Sequence, residues 1–344
     1  MAEWRHKAYQ GQNQVSRQND WGMKPLVGAY YYLWYTKDQW NSGYVHTPFL
    51  GFYESSKTET IEHHLDWAVD YGIDFFFIAW QGPNSVASSN LEKAFLPSLK
   101  SRPGGRKIRF AVFYEPWYNE AVSKTTDKTG RETINVQDPR NLRVLTQELQ
   151  SASKYFSEED YLKIGGKPVL GIYKARDLDG DVQTFTDQLR RTLPTAPYVI
   201  GDRVWWREGR QRIWYDFRQA VRPYDGVTAY NMHHDMKLVG FEKNVDDEYR
   251  AWSSALSKME CDFIPGIVPG YDDRNVVPKR NHLPLERSTA RFEQQLATAS
   301  KYVLKNPTVL ITSFNEWHED TQIEPDKSVY STKYLETVRN RSIA

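Results

Sequence analysis

Residues 312–324 read TSFNEWHEDTQIE and crowd Glu316, Glu319 and Glu324, an amide, an imidazole and an indole into one short run. They directly follow the apolar Val309, Leu310 and Ile311, whose β-branched content reads as a buried strand. Packing alone gives a strand no reason to run into carboxylates, which cost several kcal/mol to bury unless paired or put to use (about 2–7 kcal/mol even for a neutral polar group). The segment therefore reads as the mouth of an active site. Glu316 and Glu319 are its candidate functional acids, and the indole of Trp317 is placed to shield them from water.

Those residues need a scaffold, and the chain supplies a repeating one. Apolar runs at residues 26–34, 73–80, 108–114, 168–174, 197–202, 224–230, 263–268 and 308–314 have strand character. Segments of helical period lie between them. Ser56 and Glu59 have capping-box spacing before Ile61, Leu65 and Ala68. Asp138-Pro139 offers an N-cap and a first-turn proline. Further stripes run through Val182 to Leu193, Val245 to Leu256 and Phe292 to Val303. Eight strands alternating with helices predict one (β/α)8 TIM barrel over residues 1–344, with 1–24 as an N-terminal extension and enlarged loops after the first and third strands. An open doubly wound sheet is the alternative, but no glycine-rich phosphate loop follows the first strand.

In such a barrel the catalytic groups come from the C-terminal strand ends. Here those ends carry Trp80-Gln81, Tyr114-Glu115, Tyr173-Lys174, Asp202-Arg203, Tyr230-Asn231 and Tyr271-Asp272-Asp273-Arg274 before the final Asn315 to Glu319. A ring of aromatics, acids and amides suits a sugar, which offers apolar faces to stack and hydroxyls to bond. The aromatic share of 14% agrees, although filling a core accounts for most of it.

Other chemistries are weaker. No His-Glu-x-x-His occurs, and His63-His64 on a predicted helix reads as solvent-exposed. His233-His234-Asp235 could bind metal or substrate, or simply furnish a polar loop. Asp272-Asp273 suggests metal-dependent sugar transfer, with a salt bridge to Arg274 as the plainer reading. Residues 102–107 read as a solvated basic turn. Forty-five basic against forty-four acidic residues leave a charge of +1, so no global field attracts nucleic acid or an anionic membrane. The single Cys261 excludes a disulfide framework and reads as a small buried residue. No membrane-length apolar run or hydrophobic signal core is present, which points to a cytoplasmic chain as written, or to a secreted or periplasmic one if a signal peptide has been removed. A monomer without cofactor or metal, acting on an oligosaccharide or polysaccharide, is expected.

The motifs also carry a family resemblance. Ser313 to Glu319, continuing through residues 321–325 (TQIEP), resembles the C-terminal signature of glycoside hydrolase family 99, the endo-α-1,2-mannosidases and their relatives. Residues 31–35 (YYLWY), 113–117 (FYEPW) and 269–274 (PGYDDR) resemble its first-, third- and seventh-strand motifs, so the likeness covers about residues 25–326. It implies metal-free cleavage of α-mannosidic bonds with retention, through a 1,2-anhydro sugar. Glu316 would act on the substrate 2-hydroxyl and Glu319 would be the general acid. Tyr32, Trp80, Glu115, Tyr230, Tyr271 and Arg274 match or adjoin sugar-binding positions, and Asn231 and Trp317 join them as candidate substrate contacts. Asp320 stands where the family usually has glycine, and so does Thr36. A carboxylate at 320 could raise Glu319 by like-charge repulsion. Uncharacterised relatives occur among polysaccharide-assembly proteins. Hydrolysis, transfer between polysaccharides and carbohydrate binding without turnover are the three competing functions, and the retained acid pair argues against the last.

Overall fold

The computed structural model describes residues 24–40, 44–127, 130–204, 216–230, 240–275 and 283–340. Eight parallel strands form the wall: β1 Leu26–Tyr31, β2 Phe75–Trp80, β3 Arg109–Tyr114, β4 Lys167–Ile172, β5 Tyr198–Asp202, β6 Gly226–Thr228, a two-part β7 (Asp262–Ile264 and Gly266–Ile267) and β8 Thr308–Ile311. Neighbours in sequence are neighbours in the wall, and β8 pairs with β1 through Leu26↔Thr308 to Ala29↔Ile311. This is the predicted barrel.

The circuit passes through β7 in an unusual way. Its first part pairs with β6 and its second with β8. Pro265 separates them because proline has no N–H to give the ladder, while its carbonyl still accepts from Leu310 N at 3.0 Å. Gly266 follows because a side chain there would meet the Ala229 carbonyl oxygen at 2.3 Å. The kink thus draws the two ends of the sheet together.

Helices follow the strands in turn: α1 Thr58–Asp70, α2 (Val86–Asn90 running on through Leu91–Phe95 and Leu96–Lys100), α3 Pro139–Ala152, α4 Val182–Thr192, α5 Asp216–Val221, α6 Phe241–Leu256, α7 Thr289–Tyr302 and α8 Lys333–Asn340. Asp138 caps α3 as predicted, accepting from the Arg140 and Asn141 amides. The capping box at Ser56 does not form. The Ser55 amide bonds the Tyr35 carbonyl at 2.9 Å and delays the helix, so Lys57 becomes the N-cap with no side-chain bond. The basic turn at 102–106 is also tied down: Arg102 and Arg106 both bond Asp66 of α1.

With helices outside and side chains filling the bore, β2 is buried along its whole length, which is why it reads as an unbroken apolar run. The bore is packed with rings. Tyr30 lies 4.8 Å from Phe113 and 5.0 Å from Tyr230, while Phe77 lies 4.9 Å from Phe113. Gly171 on β4 makes the room, since a Cβ there would sit 2.2 Å from the Phe77 ring. This aromatic plug closes the bore beneath the strand ends. Truncating Phe77 to alanine is expected to cost about 3–5 kcal/mol in stability.

Candidate active site

The loop after β8 is held from behind before it presents anything to a ligand. Asn315 points back into the barrel, where its amide oxygen accepts from Tyr32 N at 2.8 Å and its Nδ2 donates to the Tyr32 carbonyl at 2.9 Å. Tyr35 donates to the Asn315 carbonyl and accepts from the Trp317 amide. Glu324 is a buried hub, accepting from Tyr53 Oη at 2.8 Å and Trp317 Nε1 at 2.9 Å and facing His64 Nε2 at 3.1 Å. His64 Nδ1 in turn meets the Tyr31 hydroxyl at 2.8 Å. Tyr30 faces the bore and Tyr31 the helices because strand side chains alternate, so β1 serves both layers.

One expectation changes here. His64 is not solvent-exposed: it is 1% exposed and joins β1 to the loop. Trp317, expected to shield the acids, is 2% exposed and donates its indole N–H to Glu324, which gives it a part in anchoring the loop.

On the side facing the bore, two glutamates carry different partners. Glu316 Oε1 accepts from both the His318 amide at 2.9 Å and His318 Nδ1 at 2.8 Å. Glu319 Oε2 accepts from Tyr230 Oη at 2.9 Å, and Tyr32 Oη donates to Tyr230 Oη at 2.7 Å. Burial and the charges of Glu115, Glu316 and Glu319 raise the Tyr32 phenol well above its usual range. Burial, and then Glu319, do the same to Tyr230. Both phenols therefore act as proton-bearing donors. Three carboxylates converge on this tyrosine pair from the ends of β3 and β8.

Asp202, at the end of β5, sets the tyrosine's place. Its carboxylate accepts from Tyr230 N at 2.9 Å and Lys174 N at 3.1 Å, joining three strand ends. Lys174 adopts φ 46°, a left-handed conformation that the Asp202 bond helps to hold.

Glu115 accepts from Gln81 Nε2 at 3.0 Å. Burial pushes its carboxyl up to about 8; Gln81 and Lys174 pull it down, and the charges of Glu316 and Asp202 add to the rise. The charge of Glu316 therefore reaches this carboxyl. The sign of its effect on stability follows. The unfolded chain releases this proton near 4.5 and the folded one near 8, so folding is progressively opposed as pH rises between them. Glu115→Gln is therefore expected to raise Tm relative to the parent above about pH 8, by the equivalent of a few kcal/mol, with little change near pH 4. The same substitution should remove a limb near pH 8 from the activity profile. Parallel Tm curves across that range would show that Glu115 stays ionised.

The remaining candidates divide. Trp80 is fully enclosed against Tyr114, so it offers no face for stacking; the neighbouring Gln81 is the group that reaches the site. Tyr271 donates to Asp273 Oδ2 at 2.9 Å, so the aspartate is engaged. Arg274 is largely exposed and grips Asp272 through Nε at 2.8 Å and Nη2 at 2.7 Å, which is the salt-bridge reading of that motif. Asn231 and His233-His234-Asp235 lie outside the described residues. Asp320 has φ 53°, which explains a glycine preference at this position. Its carboxylate is held by His46 Nδ1 at 2.7 Å, with Arg287 Nη1 at 3.5 Å, so its charge has partners of its own. Cys261 is buried, as expected.

A family model described as glycosyltransferase WbsX matches residues 45–338. A glycoprotein endo-alpha-1,2-mannosidase-like protein of Mus musculus is 23% identical over 321 residues, covering 86% of this chain and 61% of its own. The Homo sapiens protein of the same description is 24% identical over 301 residues, covering 80% and 56%. The chain thus spans about three fifths of the length of these curated relatives. Among solved structures, a glycoside hydrolase-like protein superposes with a TM-score of 0.74 at 22% identity, covering 96% of each chain. The GH99 endo-alpha-mannosidase from Bacteroides thetaiotaomicron does so at 0.66 and 19%, covering 93% and 97%. No helix among the described residues is long and apolar enough to cross a membrane.

Proposed function

Since the chain belongs to the family described as glycosyltransferase WbsX and is glycoside hydrolase family 99-like, we propose that it is a retaining, endo-acting glycosidase that cleaves α-mannosidic or closely related linkages within a glycan. The observation that carries this reading is the unequal anchoring of Glu316 and Glu319, three residues apart on one loop. His318 grips one oxygen of Glu316 and suits it to accept a proton. Glu319 accepts a phenol hydrogen bond on Oε2, which orients it to hand a proton to a leaving group. Glu319 acts as the general acid and Glu316 as the base toward the 2-hydroxyl. Tyr32, Tyr230, Glu115 and Gln81 line the sugar's seat.

The family description supports a second reading, transfer in polysaccharide assembly. The same residues would serve it, because a sugar hydroxyl can replace water in the step that opens the intermediate. Asp272 is bonded by Arg274 and Asp273 by Tyr271, which is the salt-bridge use of this motif.

The test is to incubate the purified protein with α-mannans, α-1,2-linked manno-oligosaccharides and bacterial polysaccharides and to size the products. Shorter fragments with retained anomeric configuration are the expected result, and products longer than the substrate would favour transfer. Inverted products, or no reaction with any α-mannoside alongside cleavage of another sugar class, would overturn the proposal.

A further inference from the structure

His318 sits between the candidate base and the loop after β1. Its Nδ1 and backbone N–H both point at one oxygen of Glu316, at 2.8 and 2.9 Å. Its Nε2 lies 3.1 Å from the Tyr44 hydroxyl. The ring is stacked on Tyr35, with centroids 5.6 Å apart and planes 6° from parallel, so it cannot turn to exchange these partners without breaking that stack. Tyr35 in turn bonds the backbone of the Glu316 loop on either side of that glutamate.

Counting protons around this ring gives its charge. The Gln39 backbone carbonyl, which can only accept, is hydrogen-bonded to the His318 ring, and the Tyr44 hydroxyl bonds the same carbonyl. Nε2, on the Tyr44 and Gln39 side of the ring, therefore carries a hydrogen. On the other side, a carboxylate oxygen that already accepts one backbone N–H accepts a second from Nδ1–H. A ring that donates from both nitrogens is an imidazolium.

We propose that His318 is the positioning residue of the reaction's base: as an imidazolium fixed by Tyr35 and Tyr44, it sets a positive charge against Glu316 and locks Oε1, so that only Oε2 is offered to a sugar hydroxyl. This rests on the glycosidase reading for its consequence in catalysis, although the ion pair itself does not. The proton balance is closed. Glu316 takes the proton of the 2-hydroxyl in the first step and returns it to the same sugar oxygen in the second, and His318 keeps both of its protons throughout.

Among the described residues, the charged and titratable groups facing the ring come from two elements. Glu316 and Glu319 lie on its own loop, and Tyr35 and Tyr44 lie on the loop after β1. Burial by itself disfavours the charged ring, but the Glu316 hydrogen bond and charge outweigh it and raise His318 above its ordinary 6.5. The pairing also distinguishes two similarly buried acids. Glu115, with an amide for its partner, is pushed toward the neutral form, whereas Glu316 has a cation.

Two measurements test the proposal, and the first needs no substrate. Titration of isotope-labelled histidines by NMR, with the His318 signals assigned by their loss in His318→Asn, should give a midpoint above 6.5. In Glu316→Gln, where an oxygen acceptor remains but the charge is gone, that midpoint should fall by about one unit or more. A midpoint at or below the ordinary value that ignores Glu316→Gln would overturn the ion pair.

The second measurement is the pH profile of kcat/KM. His318→Asn keeps an amide donor near Nδ1 but no charge, so the acidic limb should move up by about one unit. That corresponds to a loss approaching about tenfold at pH values below the parent's limb and to almost none at pH 8. A uniform loss at every pH, or an unmoved limb in both His318→Asn and His318→Ala, would reduce His318 to a structural role. If no glycan is turned over, the functional reading fails by itself, and the titration still decides the pair.

Discussion

Glu319→Gln is expected to lower kcat/KM on natural glycans by about 10²–10⁴-fold, the usual contribution of a positioned general acid. Glutamine preserves the shape that accepts from Tyr230 but has no proton to give. The loss should therefore depend on how much the leaving group needs that proton. An aryl or fluoride leaving group, stable as an anion, should recover most of the rate in the variant. Parallel assays on a natural oligosaccharide and an activated mannoside check this. Equal damage on both would remove Glu319 from the acid role, and Glu316 would then have to be reconsidered for it. Tyr230→Phe provides a graded control: it deletes the phenol that orients Glu319 and leaves the acid in place, so a much smaller loss is expected.

The 2-deoxy and 2-O-methyl mannosides, together with the matching α-glucoside, are expected to bind without turning over. In the usual retaining mechanism the second carboxylate attacks the anomeric carbon from the face opposite the acid and forms a covalent glycosyl-enzyme. Glu316 and Glu319 instead lie three residues apart on one strand-end loop, and the oxygen of Glu316 on the His318 side is already committed. Such neighbours are suited to adjacent positions on one sugar more than to bracketing its anomeric centre. An α-mannoside places its axial 2-oxygen trans to the axial leaving group, so that oxygen, relieved of its proton by Glu316, can displace the leaving group as Glu319 protonates it. Water, activated by Glu319, then opens the 1,2-anhydro sugar, and two inversions give retention. An α-glucoside has these groups cis, and a 2-deoxy sugar lacks the oxygen. Steady cleavage of the 2-deoxy substrate, or a sugar adduct on Glu316 seen by mass spectrometry, would return Glu316 to the role of nucleophile.

Much of this protein is legible without coordinates because it is written at short range. Strand runs show in apolar composition, helices in their period, and the Asp138 cap in a dipeptide. The barrel follows from the alternation itself, since parallel strands joined by helices must bury both faces. Glu316 and Glu319 stand out because a buried strand running into acids needs a reason, and that reason lies within thirteen consecutive residues.

What the tertiary structure alone decided are the partners, because a side chain's role depends on what lies across the barrel and not on what lies beside it in the chain. Glu324 meets Tyr53 across 271 positions and His64 across 260, so the hub has no local signal, although His64 lies on the apolar helix face that Ile61, Leu65 and Ala68 mark. Trp80 and Trp317 look like stacking platforms as residue types, yet the packing encloses one and ties the other to Glu324. Glu115 and Glu316 are the same residue type at two strand ends. Burial beside an amide drives Glu115 toward its neutral form, while Glu316 is bonded by the His318 ring, so what surrounds each acid belongs to the fold and not to the amino acid.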